Sequence, residues 1–236
     1  MSTIHRGQIF HVSGSPRVSD AADALEHFAD GALVVSDDGE VEWCGEFRSL
    51  PASWAADPVV DHSGGFLLPG FVDTHMHYPQ VNSIDSYGGG QLLEWLTNCI
   101  FPSEAKLADP EFAEGAAGEW CNRMITAGTT TGLIFGSQFP AAQDALFETA
   151  RDRGLRIIAG RTIMTTGPDS AAPLLTSEHD AIELTRAEIE RWHPLDDAPR
   201  RVALQQVAVV PRFTLSVTTE TLGELGDLYA EYRDRG

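Results

Sequence analysis

From Phe71 onward the chain alternates short apolar runs with amphipathic stretches four times, and this alternation restricts its fold more than any other feature. The runs at 129–135, 155–159 and 202–210 have strand length and are rich in β-branched residues. Between them, residues 110–127 carry Phe112, Ala116, Trp120 and Met124 at four-residue spacing, which is one face of a helix. Pro110 suits the first turn of that helix and Gly128 its end. Residues 141–153 with Gly154 as cap, 177–193 with Ser177 as N-cap, and 220–235 read as further helices. Strands joined by helices of this length imply a parallel sheet. Four such units predict an α/β fold, about the first half of a (β/α)8 TIM-barrel, a fold of roughly 250 residues when complete. Arg151-Asp-Arg-Gly154 closes one helix before a strand, and the identical Arg233-Asp-Arg-Gly236 closes the chain. The expectation is therefore an N-terminal portion of a longer protein.

Residues 1–66 read differently, as part of a small β-sandwich domain ahead of a barrel portion at 67–236. Strands are expected at 7–12, 32–35 and 41–44, the last two joined by the turn signal Asp37-Asp-Gly39. The polar connection at 13–30 is expected to be a loop with a short helical piece. His5, His11, His27 and His62 lack metal-ligand spacing and read as structural or exposed.

The formal net charge is −19, from 16 basic and 35 acidic residues, and Lys106 is the sole lysine. Nucleic acid is excluded as an expected partner, because phosphate binding needs clustered cations. No apolar run approaches the roughly eighteen residues of a membrane span, and the N-terminus has no apolar signal core. A cytoplasmic location without membrane association is the expectation. Cys44, Cys99 and Cys121 form no paired motif and read as thiols.

Chemistry concentrates at Phe66-Leu-Leu-Pro-Gly-Phe-Val-Asp-Thr-His-Met-His-Tyr-Pro-Gln80. An apolar run ending in histidines two apart places His75 and His77 on one face of a strand tip, where two neutral imidazoles can converge on one ion. An isolated pair of this kind is equally two satisfied polar side chains. In a barrel the site forms at the carboxyl ends of the strands, where His75, His77, Gln80, Arg212 and Phe213 all fall. His179 and His193 belong to the outer helical ring and read as structural. A hydrolytic zinc site needs three or more protein ligands, so others must come from elsewhere. The long connection at 81–109 reads as a binding loop or lid.

These residues resemble a known family. PGFVDTHMHYPQ is similar to the first barrel strand of the amidohydrolase superfamily. LLEWL at 92–96, FPSE at 101–104, GTTT at 128–131, PRFTLS at 211–216 and ETLGELG at 220–226 resemble its guanine deaminases. The segment from Thr162 departs from the family's usual pattern. The resemblance implies hydrolysis of guanine to xanthine and ammonia in purine catabolism, with one Zn2+, or Fe2+, held by His75 and His77. It implies further ligands, two histidines and an aspartate, and a glutamate proton shuttle beyond Gly236, so that the chain alone is inactive. His77, Gln80, Arg212 and Phe213 are the implied contacts to the small-molecule purine, and a homodimer is the implied assembly. Arginine's fork of donors suits a ring carbonyl and nitrogen, and glutamine offers both donor and acceptor.

Two other readings fit. One is a related mononuclear aminohydrolase acting on a pterin or triazine. The other is a truncated, non-catalytic paralogue serving as a binding module. A lysine-bridged two-metal centre is disfavoured, since the fourth strand ends in Val-Pro-Arg-Phe and Lys106 lies in the long connection.

Overall fold

The computed structural model describes residues 2–14, 24–86, 90–195 and 204–235, which form two compact units divided at Gly70. In the first unit β1 (Ser2–Val12) lies between β2 (Leu25–Ser36), antiparallel to it, and β4 (Val59–Leu67), parallel to it. The third strand, β3 (Val41–Glu46), pairs antiparallel with β2 across a turn where Gly39 takes φ +82°, a conformation glycine adopts without penalty. Ile4, Ala32 and Val34 form its core with Trp43, Phe47 and Trp54. The connection expected as loop is strand from Leu25, because β1 is long and Ile9 and Phe10 pair with Phe28 and His27. Residues 15–23 of that connection lie outside the described residues. His5 and His62, each read as structural or exposed, meet with Nδ1 and Nε2 3.0 Å apart, and burial together with the His62 charge lowers the His5 pKa.

The second unit is built on parallel strands. β5 (Phe71–His77), β6 (Thr129–Phe135), β7 (Arg156–Gly160) and β9 (Gln205–Val207) pair in that order, and β8 (Thr162–Ile163) pairs with β10 (Val210–Pro211). The order follows the chain, as expected for consecutive βα units. β7–β8 and β9–β10 are each one barrel strand interrupted by an irregularity. At that interruption the Arg161 N–H donates to the Glu188 carboxylate at 3.2 Å instead of to the ladder. Gly160 is required there, since a Cβ would stand 1.9 Å from the Ala208 carbonyl oxygen.

The helical layer matches the periodicity. α3 (Pro110–Thr126), α4 (Pro140–Asp152), α5 (Glu178–Trp192) and α6 (Thr219–Tyr232) follow the strands, after the short α1 (Leu92–Trp95) and α2 (Phe101–Ala105). The α3 N-cap is Asp109, whose carboxylate accepts the Glu111 N–H at 3.0 Å, and Ser177 caps α5 in the same way. Trp120, Met124, Leu146, Phe147 and Ile157 lie in the main core between this layer and the sheet.

The stretch expected as a long loop is mostly helical. Tyr78–Ser83 is a 3₁₀ segment, and α1 runs through a π-helical Leu96–Ile100 into α2. Its pieces are too short to show a periodic apolar face, which hid them from pattern reading. Residues 87–89 of this stretch and 202–203 of the fourth strand lie outside the described residues. Among the described residues no helix is long and apolar enough to cross a membrane.

Candidate functional site

β5 delivers the histidines, but not as a regular strand. Its register against β6 shifts between Asp73 and Met76, and the Asp73 carboxylate accepts the His75 N–H at 3.0 Å. This local bond turns the backbone just before the imidazoles. The His75 and His77 rings lie 5.3 Å apart at 73° to each other. Phe135 at the end of β6 supports both, stacked on His77 at 4.6 Å and edge-on to His75 at 5.0 Å.

The His77 pKa is lowered to about 4, first by burial and second by the positive charge of Arg212. At neutral pH its ring is uncharged, with a lone pair free for a Lewis acid. Among the described residues no group of three or more His, Cys, Asp or Glu side chains is placed to hold a metal ion. The donor set present is thus two imidazoles at a strand tip, chemically suited to zinc or iron(II) and short of a complete hydrolytic centre.

Polar groups continue the site. Arg212, immediately after β10, is buried and makes a two-pronged ion pair with Glu104 of α2, at 2.5 and 3.1 Å. Gln80 donates to the same carboxylate at 3.0 Å. The Arg212 guanidinium also lies over the Phe101 ring, 5.4 Å from its centroid. His75, His77 and Gln80 line a cavity of about 510 Å³ with Met76, Trp95 and Trp120. The Trp95 indole N–H is buried and has no hydrogen-bond partner among the described residues.

The structure therefore brings His75, His77, Gln80 and Arg212 to the carboxyl ends of the parallel strands. Phe213 follows Arg212 but is partly exposed, and the aromatic ring against the imidazoles is Phe135. His193 accepts the Val207 N–H at 3.0 Å, and His179 is exposed on α5. Sequence reasoning missed Glu104 as a site residue, although FPSE had already marked it within a motif. Phe135 had no signal beyond its place at a strand's carboxyl end.

A parallel sheet of consecutive βα units with its polar groups gathered at the strand tips defines a barrel-type α/β architecture. The chain belongs to the amidohydrolase family, whose model matches residues 66–235. It is 40% identical over 237 residues to a probable guanine deaminase of Deinococcus radiodurans, covering 98% of this chain and 51% of that protein. It is 36% identical to the guanine deaminase of Escherichia coli, covering 90% of this chain and 46% of the relative. The crystal structure of guanine deaminase from Bradyrhizobium japonicum superposes with a TM-score of 0.88 at 28% identity, covering 100% of this chain and 49% of the other. The chain spans about half the length of the curated relatives it matches.

Proposed function

We propose that a polypeptide of the relatives' length carrying this chain hydrolyses guanine to xanthine and ammonia, with His75 and His77 holding a zinc ion. The supporting observation is that two imidazoles, that of His77 uncharged at neutral pH, a glutamine amide and a buried guanidinium converge at the carboxyl ends of the strands. The guanine deaminases to which the chain is similar supply the substrate. Zinc bound at the imidazoles would supply a water with its pKa lowered toward 7.

The chain's own residues bind and orient. His75 and His77 are held by the Asp73 bond and by Phe135, so their lone pairs are arranged before a ligand arrives. Arg212 offers N–H groups to a ring carbonyl and nitrogen, Gln80 reads an adjoining edge, and Phe213 packs by the ring. The remaining metal ligands and the proton shuttle come from polypeptide outside the chain. Residues 1–66 serve as part of a β-sandwich domain, and residues 67–236 form the barrel portion. The active form is a cytoplasmic homodimer acting in purine catabolism.

The test is the relatives-length polypeptide incubated with guanine. Xanthine and ammonia should form in equal amounts, stop after chelation and resume with zinc. Absence of xanthine from a folded, metal-replete sample would refute the proposal, and turnover of a pterin or triazine instead would move the assignment to those rings.

A further inference from the structure

Glu104 is 5% exposed, and both of its carboxylate oxygens are occupied by the two groups proposed to read the substrate. Oε2 accepts from Arg212 Nη1, while Oε1 accepts from Arg212 Nη2 and from Gln80 Nε2. We propose that Glu104 is a positioning residue that cancels the charge of Arg212 and fixes the amide of Gln80, so that the site selects neutral lactam heterocycles over heterocyclic anions. This rests on the reading in which Gln80 and Arg212 meet the substrate.

The first argument is charge. An unpaired guanidinium is strongly disfavoured in a buried environment, so the charge of Arg212 calls for an opposite charge beside it. Glu104 supplies it through a geometry that matches the guanidinium fork. Gln80, Glu104 and Arg212 together sum to zero. A neutral ring meets oriented donors without net charge. An anion would lose its hydration and face the Glu104 carboxylate as well as the guanidinium.

The second argument is valence. A carboxylate only accepts, so the Gln80 nitrogen must face Glu104 and its Oε1 must point elsewhere. Gln80 lines the same cavity as the imidazoles. It therefore presents one carbonyl acceptor and one remaining N–H. Arg212 has five N–H donors, of which Glu104 takes two. The three left over, beside an acceptor, complement a ring C=O adjoining a ring N–H, the lactam edge of a neutral oxopurine. Without Glu104 the amide could rotate and the pattern would be lost.

The experiment uses the zinc-loaded, relatives-length polypeptide and two probes at pH 7, hypoxanthine as neutral lactam and urate as anion, with binding followed by calorimetry. The unaltered protein should bind hypoxanthine at least about tenfold more tightly than urate. Glu104→Gln should weaken hypoxanthine by about tenfold or more and strengthen urate, moving the two affinities in opposite directions. For guanine turnover it should raise KM about tenfold while kcat stays within about threefold. Glu104→Asp, which keeps the charge, should weaken both probes yet preserve their order.

A merely structural role would weaken both probes together. The inference is overturned if Glu104→Gln leaves their ratio unchanged, or if the unaltered protein prefers urate. Should Glu104→Gln fail to fold, Glu104→Ala is read by the same probe ratio, which should fall, and a ratio that stays unchanged overturns the inference. Lack of xanthine from guanine counts against the proposed function alone, because the probe ratio is scored by binding.

Discussion

Glu188 on α5 carries a pH dependence of stability that can be worked from its surroundings. Its carboxylate accepts the Gln143 amide N–H at 3.1 Å and the Arg161 backbone N–H at 3.2 Å, and lies 3.5 Å from the Arg161 side chain. Yet, among the described residues, Arg161 Nε and Glu188 Oε2 each lack a hydrogen-bond partner. The pair is buried without the full set of bonds that would offset desolvation. Burial accordingly raises the Glu188 pKa from 4.5 to about 7, against the opposing pull of Arg161. It lowers that of Arg161.

The sign follows from proton counts. Between pH 4.5 and 7 the folded carboxyl holds a proton that the unfolded chain has released, so stability falls as pH rises through that window. At about 1.4 kcal/mol per pH unit, the contribution is about 3 kcal/mol, fully present below 4.5 and lost above 7. Glu188→Gln keeps the shape and removes the titration. Urea unfolding of both proteins at a series of pH values from 4 to 8 gives the difference in stability, in which all other titrating groups cancel. That difference should swing by about 3 kcal/mol across the window. A difference that stays level would mean that the carboxyl is ionised throughout as a charged pair with Arg161, and would refute the reasoning.

Other outcomes follow from the geometry. Gly160→Ala should cost about 1–3 kcal/mol or more in urea unfolding, because its Cβ would strike the Ala208 carbonyl across the ladder. Gly115→Ala, in open space within α3, should instead stabilise by about 1 kcal/mol. His77→Ala should lower zinc affinity by at least about a hundredfold in chelator competition while far-ultraviolet circular dichroism is unchanged, since one ligand is lost without disturbing the sheet. Equal zinc affinity in the variant would remove His77 from the metal site.

Much of this arrangement was legible because it is local. The four-residue stripe on α3, the glycine ends at 128 and 154, and the histidines two apart on a strand tip each declare themselves within a few positions. Arg212 could be placed because a strand's end follows from where its apolar run stops. The partners of these residues could not be read. Glu104 lies 108 positions from Arg212 and Glu188 lies 27 from Arg161. Neither pairing leaves a periodic trace. The shift in β5 depends on one side-chain bond from Asp73, which competes with the ladder and has no hydrophobic signature. The helical character of the stretch after Ser83 stayed hidden because α, π and α pieces of four or five residues never complete an amphipathic face.

The charge balance of the whole chain and that of its site obey different rules. The excess of acidic groups is largely solvated, and salt screens it over about 10 Å. Arg212 and Glu104, both buried, are screened far less, so on the proposed selection their mutual cancellation, rather than the net charge of −19, should set what the site admits. Two consequences separate the effects. Raising salt should slow or quicken the approach of a charged ligand while leaving the ratio of neutral to anionic affinity nearly constant. If that ratio instead collapses between about 0.05 and 0.5 M salt, the preference comes from the acidic surface, and the paired guanidinium is not what excludes anions.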